Sequence, residues 1–265
     1  MTKLEQFQKE FIGFQNELKS FIYRIVTHKQ ETEDLVQETY IKAFDHLDSF
    51  EEKSSFKTWV FSIATNLAKD SFRARQRWGE NWMDLVKDAH KSDVRLMKKK
   101  QEIASSPDVK YDMSEHLNYC FSCTSKTLLL TNQISFLLKE VYGFKVSEIM
   151  LIVGLSEGKV KHAIADSRKD MARIFEHKCV LINKNGTCSQ CTGLNQVFNP
   201  KQNTQEQANK LKIVKEQRGK NYEKLLELRL NMVRSIDPLA GEGIELHNYL
   251  IENSPTWAKL QEGVK

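Results

Sequence analysis

The chain of 265 residues is poor in the residues that interrupt helices, with only 4 prolines and 11 glycines. No stretch sustains the apolar/polar alternation of a half-buried strand, so an architecture built on sheets is not expected. No run approaches the roughly 18 apolar residues of a membrane span, and no membrane insertion is expected. The start, MTKLEQFQKEFIGF, lacks a basic region followed by an apolar core, so it does not read as a secretory leader and a cytoplasmic location is expected. The 5 cysteines are an odd number and make no disulfide framework. They point to free thiols or to a metal. A phosphate-cradling glycine loop, a nucleophile elbow and a coherent acid–base pair are also missing, so the chain is not expected to be an enzyme.

What is present is 40% hydrophobic and 28% charged sequence with a net charge of +5. A core can be packed under a strongly ionic surface, and the mild positive excess matters only where it is localised. Residues 1–78 carry Phe, Ile and Leu at helical spacing. Residues 79–112 include DAHKSDVRLMKKKQEIASSPDVKYD, a charged stretch punctuated by Pro107, which reads as a linker with a helical first part. Residues 113–178 resume the apolar periodicity. Residues 179–202 are loop-like and rich in Asn, Gly and Cys. Residues 203–265 contain LKIVKEQRGKNYEKLLELRLNMV, with Leu211, Val214, Leu225, Leu228, Met232 and Ile236 at partial helical spacing. A break at Pro238–Gly241 and a short last helix follow. The expected fold is all-α: two small helical domains, 1–78 and 113–178, joined by a linker and followed by a helical extension.

The stretch KVSEIMLIVGLSEGKVKHAIADSRKDMARIF has the shape of a helix-turn-helix. Val146, Ile149 and Val153 give a short helix a buried face, and Gly154 stands where a tight turn needs positive φ. Ser156 can cap the next helix. Val160, Ile164, Met171 and Phe175 then form the core side of that helix, with Lys159, Lys161, His162, Arg168 and Lys169 outward. A recognition helix needs apolar residues on one face and donors near its first turns on the other. The lysines suit phosphate contacts. An ordinary helical hairpin with a solvated basic face is the competing reading.

Two earlier helices carry the rest. In TEDLVQETYIKAFDHLDSF, Val36, Tyr40, Phe44 and Leu47 form the expected buried stripe, while Leu35 and Ile41 fall outside it among Asp34, Gln37, Glu38 and Asp45. An acidic, partly apolar face suits a basic protein partner. In SSFKTWVFSIATNLAKDSFR, Phe56, Val60, Ile63, Ala64 and Leu67 share one arc at about 100° per residue. Thr58, Ser62, Thr65, Asn66, Lys69 and Arg73 share the opposite arc, and Trp59 lies on the seam. Trp59 therefore reads either as core packing or as an aromatic platform beside donors and cations.

Together, EDLVQETYIKAFDHLDSF, SSFKTWVFSIATNLAKD, a basic linker and a helix-turn-helix resemble bacterial RNA polymerase sigma factors. The likeness is to the small extracytoplasmic-function class of the sigma-70 family, over residues of roughly 10–78 and 113–178. It implies that 1–78 is a region 2 bundle and 113–178 a region 4 helix-turn-helix. Its partners would be promoter DNA and core RNA polymerase, through the clamp helices of the largest subunit and the flap. Asp34, Leu35, Gln37, Glu38 and Ile41 would dock on the clamp helices. The −10 element would be melted and its non-template strand held by Phe50, Glu51, Lys53, Ser54 and Ser55 in a loop. The helix beyond would add Lys57, Thr58, Trp59, Ser62, Asn66, Lys69, Arg73 and Arg75. Ser156, Lys159, Lys161, His162 and Arg168 would read the −35 duplex. No cofactor is required. The helix reads Val160-Lys161-His162-Ala163-Ile164-Ala165-Asp166-Ser167-Arg168, without two arginines usual in the family, which suggests a divergent promoter. Residues after 178 look like a C-terminal extension, either packed on the second domain or contacting a regulator such as an anti-sigma factor.

The pairs Cys120-x-x-Cys123 and Cys188-x-x-Cys191 have the spacing of a four-thiolate structural zinc site, with Cys179 or His116 as substitutes. Free buried thiols and a redox switch are the alternatives. The other functional class left open is a stand-alone helix-turn-helix regulator, responsive to metal or redox state.

Overall fold

The computed structural model describes residues 3–253, apart from 52, 74–78, 80–81, 107–109, 217–220 and 242. Among the described residues there are fourteen α-helices and no β-strand. None of these helices is long and apolar enough to cross a membrane. Pro107 and Arg75 lie outside the described residues.

The chain divides into two compact units that do not follow the linear segments. Unit 1 comprises residues 1–75 and 129–167, and unit 2 comprises 76–128 and 168–265. Unit 1 holds α1 (Lys3–Val26), α2 (Lys29–Asp45), α3 (Phe56–Arg73), α7 (Leu130–Glu140), α8 (Val146–Val153) and the first half of α9 (Glu157–Lys178). The helix-turn-helix therefore packs with the first helices of the chain. Aromatic rings fill this core. Phe7 meets Tyr40 and Phe56 edge-on at 5.2 and 5.5 Å, and Phe61 meets Phe21 at 5.2 Å and Phe144 at 4.9 Å. Such pairs each add roughly 0.5–1.5 kcal/mol beyond the area they bury.

Unit 2 holds α4 (Trp82–Ser92), α5 (Val94–Ala104), α6 (Met113–Ser125), the end of α9, and α10 (Gln190–Phe198), α11 (Thr204–Lys210), α12 (Lys212–Lys215), α13 (Tyr222–Ser235) and α14 (Ile244–Glu252). The stretch expected to be a linker thus carries two helices. Asp93 separates them because its carboxylate accepts the Arg95 and Leu96 N–H groups and starts α5. The run from Leu211 to Met232 is not one continuous helix: α12 ends at Lys215, capped by Glu216, and α13 begins at Tyr222, capped by Asn221. The break at Pro238–Gly241 and the short last helix are as the sequence leads one to expect.

One core cluster of unit 2 joins Tyr111, Met113 and Leu117 of the α6 region to Cys191, Leu194, Ile213 and Leu246 of the extension. A second joins Trp82, Val86, Tyr119, Cys123 and Ile251. Gly186 closes the turn between Cys179 and Cys188, where a Cβ would lie 2.7 Å from the Lys178 carbonyl. No larger residue fits there.

Candidate polymerase and nucleic-acid interface

α2 begins where the imidazole of His28 accepts the Glu31 N–H at 3.2 Å, and the Thr32 hydroxyl donates to the His28 carbonyl. Its buried stripe is Thr32, Leu35, Val36, Thr39 and Ala43. This corrects two expectations: Leu35 is buried, at 7% exposure, and Phe44 is 44% exposed. The reason is close packing. Ala43 has no bulk, and Thr39 folds its hydroxyl onto the Leu35 carbonyl at 2.6 Å, so small residues face the core where large ones were sought. Asp34, Gln37, Glu38 and Ile41 stay exposed on one side of the helix. Glu38 pairs with Lys42 at 3.0 Å, and Asp34 accepts a hydrogen bond from Gln30. Between α1 and α2 lies a groove whose walls include Ile12, Gln15, Lys19, Glu33, Gln37 and Tyr40. This patch can hold an apolar ridge flanked by cations.

The loop before α3 places Phe50 parallel to Trp59, with centroids 5.0 Å apart and planes 30° from each other. Phe56 packs on both rings, at 5.8 Å. Trp59 is half-buried, on the seam the helical wheel assigns it. Glu51 and Lys53 pair in the loop, and Ser54 donates to the Ser55 carbonyl. Ser55 caps α3, its hydroxyl accepting the Thr58 N–H at 3.1 Å. Ser62 is half-buried and donates to the Trp59 carbonyl, and Asn66 is exposed.

The opposite arc of α3 is not all solvent-facing. Thr58 and Thr65 are buried, at 1% and 0% exposure, because α8 lies against that side. The Thr58 hydroxyl reaches Glu148 Oε1 at 3.3 Å, and Lys69 Nζ donates to the Val153 carbonyl at 3.3 Å. Lys57 pairs with Glu17 at 2.6 Å and lies 5.0 Å from the centre of the Phe144 ring. Nothing in the local sequence pattern marks Glu148 or Phe144 as partners of α3.

In the helix-turn-helix, Gly154 has φ 71° and ends α8, as the turn requires. The Val160 N–H donates to the Ser156 carbonyl. Ser156, Lys159, Lys161 and His162 are all exposed at the start of α9. Lys161 holds Glu157 at 2.6 Å, and that hydrogen bond keeps the Glu157 carboxyl below its ordinary pKa. Arg168 belongs to unit 2 and lies 3.6 Å from Glu227.

The thiols are arranged differently from the two linear pairs. Burial raises Cys120, Cys188 and Cys191, with Cys188 pushed up to about 12, and each of these three is raised further by neighbouring cysteines. The mutual set is Cys120, Cys179, Cys188 and Cys191. Backbone bonds from Val180 to Cys188 and from Cys188 to Lys178 hold Cys179 opposite Cys188. Cys123 is wholly buried in the Trp82 cluster. Arg229, 1% exposed, stacks on Phe175 at 3.5 Å, and its charge favours thiolates at Cys120 and Cys191. Among the described residues no three His, Cys, Asp or Glu side chains are grouped so as to hold a metal ion. His116 instead meets His247, Nδ1 to Nε2, at 3.2 Å.

Comparison with known proteins bears on the same segments. The sigma-70 region 2 family profile matches residues 13–78. The chain is 29% identical over 157 residues to the ECF RNA polymerase sigma factor SigX of Bacillus subtilis (strain 168), covering 59% of this chain and 77% of that protein. It is 29% identical over 156 residues to the ECF RNA polymerase sigma-E factor of Haemophilus influenzae, covering 59% and 80%. Over 162 residues it is 25% identical to SigW of Bacillus subtilis, covering 60% and 83%. Among solved structures, the sigma factor RpoE in complex with the anti-sigma factor NepR, from Bartonella quintana, gives a TM-score of 0.46 at 21% identity, covering 65% of this chain and 98% of that one.

Proposed function

We propose that the chain is a sigma factor of the extracytoplasmic-function class of the sigma-70 family, working through two faces of its first helices and the exposed start of α9. Its function is to bind core RNA polymerase and direct transcription initiation at promoter DNA; it is not an enzyme. The stand-alone regulator is not favoured. Work beside polymerase and DNA would place it in the cytoplasm.

On this reading Asp34, Gln37, Glu38 and Ile41 dock on the clamp helices of the largest polymerase subunit, with Leu35 acting from beneath the surface. The acidic groups steer the encounter and the apolar groove supplies buried area. Trp59, braced by Phe50, shapes the strand-holding side where Ser62 and Asn66 offer hydrogen bonds to unpaired bases. Lys53, Ser54, Lys57, Lys69, Arg73 and Arg75 would meet backbone phosphates. Ser156, Lys159, Lys161 and His162 would enter the −35 major groove, with Arg168 behind them. The observation that carries the reading is the coincidence of the region 2 match with an exposed acidic and apolar face on α2, directly before the capped and aromatic-braced α3. The test is reconstitution with core polymerase. Asp34→Arg with Gln37→Ala should weaken core binding at least tenfold while the unfolding midpoint holds. Undiminished binding would end this assignment.

Ala208, Leu211, Ile213, Val214 and Leu246 share a buried cluster with Met113 and Leu117 of α6, which supports a structural role for the extension. Control by the extension itself, or by an anti-sigma protein, would act through that surface. Sigma factors of this kind need no cofactor. The finer reading is a structural zinc whose ligands would be Cys120, Cys179, Cys188 and Cys191, drawn closer together than they now stand. Its support is their shared electrostatics and the buried Arg229, whose terminal nitrogens make no hydrogen bond. Metal analysis of the full chain decides it. One zinc per chain, lost in Cys188→Ser, supports the site, and none ends it.

A further inference from the structure

We infer that Asp166 is a base-reading residue of α9, accepting a hydrogen bond from the exocyclic amino group of a cytosine in the −35 duplex. This rests on the proposed role of α9 as the helix that enters the −35 major groove. Val160, Ala163, Ile164 and Ser167 are all buried and define the inward side of the helix. The Ser167 hydroxyl lies 3.2 Å from the Asn132 carbonyl of α7, so α9 is fixed in rotation as well as in place. At about 100° per residue the outward arc runs through Lys161, Ala165, Gly158, His162, Asp166 and Lys159. All six are exposed.

Two of the six carry almost no side chain. Glycine inside a helix is less stable than alanine. Yet Gly158 has no positive φ, and a Cβ added to it would meet nothing within 4 Å. Neither packing nor backbone conformation requires glycine there. What the missing side chain provides is approach: with Gly158 and Ala165 at the centre of the arc, the backbone of α9 can lie close to a groove floor. The lysines stand at the two borders of the arc, where the phosphates of a groove would be met.

A carboxylate on such an arc opposes a polyanion unless it meets a donor. Its acidic neighbours are neutralised within the helix, Glu157 by Lys161 at 2.6 Å and Asp170 by Arg173 at 3.7 Å. Asp166 makes no ion pair among the described residues. In the major groove guanine presents two acceptors, thymine an acceptor and a methyl group, and adenine an acceptor beside its amino group. Cytosine alone presents an amino donor with no acceptor of its own. An ionised carboxylate only accepts, so it attracts cytosine and repels the acceptors of the other three bases. His162 stands four residues before Asp166, roughly 6 Å along the axis, or about two steps of about 3.4 Å in the duplex. Its ring N–H suits an acceptor such as a purine N7 within that distance of the cytosine.

The test uses holoenzyme reconstituted from the full chain and core polymerase, with promoter DNA randomised across the −35 region and sequencing of the templates it retains. The expected parent profile has cytosine enriched at one position of one strand. Asp166→Ala should lower that enrichment by about fivefold or more, at that position alone. Asp166→Asn should move the preference there from cytosine to adenine, whose N6 and N7 match the side-chain amide. Both variants alter an exposed residue, and the urea midpoint should hold. A parent profile without the cytosine, or variant profiles identical to the parent's in a holoenzyme that still opens promoters, would overturn the inference. So would a uniform gain in affinity for all templates, which would make Asp166 only a charge repelled by phosphate. Failure of the underlying reading looks different: the parent holoenzyme would then show no base preference anywhere in the −35 region, and the inference would fall with it.

Discussion

Acid should undo unit 2 well before its carboxylates titrate, because of the pair His116 and His247. The two rings are 1% and 6% exposed, and they tie α6 to the last helix of the extension. His247 also stacks on Tyr119, with centroids 4.4 Å apart and planes 14° from parallel. Burial lowers the His116 pKa from 6.5 to about 4, against a hydrogen bond that the ring donates to Gln190, which favours the charged form. Burial, and then the neighbouring His116, push His247 well below its ordinary value too. Both rings are therefore neutral in the folded chain, and the unfolded chain takes up protons first as pH falls. The stability they confer is complete above pH 6.5 and is lost as pH falls from there toward about 4. For His116 alone the loss is about 2 kcal/mol at pH 5 and about 3 kcal/mol at pH 4. His247 adds to it in the same direction. Urea unfolding at pH 7, 6 and 5, followed by the fluorescence of the buried Trp82, measures the slope. His247→Phe keeps a ring on Tyr119, removes one titrating group and should shrink the drop. Stability flat from pH 7 to 5, or an NMR titration of His116 near 6.5 in the folded chain, would refute the reasoning.

Two further outcomes follow from local geometry. Gly154→Ala should cost about 1 kcal/mol through its positive φ alone, since a Cβ there meets nothing within 4 Å; an unchanged urea midpoint would contradict this. Lys161→Ala should weaken −35 duplex binding by the holoenzyme about equally for all sequences and reduce its salt slope by about 1, the signature of one phosphate contact. A change in sequence preference with an unchanged slope would instead make Lys161 a base reader.

The helical architecture was legible because its signals are local. The scarcity of proline, 4 in 265 residues, and the Gly154 turn both act within a few positions of themselves. The turn into α9 was legible for the same reason. What escaped depends on distance along the chain. Thr58 and Thr65 read as outward polar residues because α8, some ninety residues away, lies against their side of α3. α2 misled because its tightest packing uses Thr39 and Ala43, while bulky Phe44 is half out in solvent. The Lys178–Cys188 backbone bond brings Cys179 beside Cys188, a pairing that the two C-x-x-C spacings do not mark. The run from Leu211 to Val233 is divided between α12, which ends at Lys215, and α13, which begins at Tyr222, although its apolar spacing continues across both.

The central claim is that this chain hands promoter recognition and strand opening to RNA polymerase through α2 and α3. Permanganate footprinting of promoters bound by reconstituted holoenzyme tests it most directly. The expected result is unpaired thymines at the −10 element with the intact chain, none with core polymerase alone, and a marked loss with Asn66→Ala in a chain that still folds and binds core. Strand opening undiminished by Asn66→Ala, or a chain that binds duplex DNA tightly and never joins core polymerase, would contradict it.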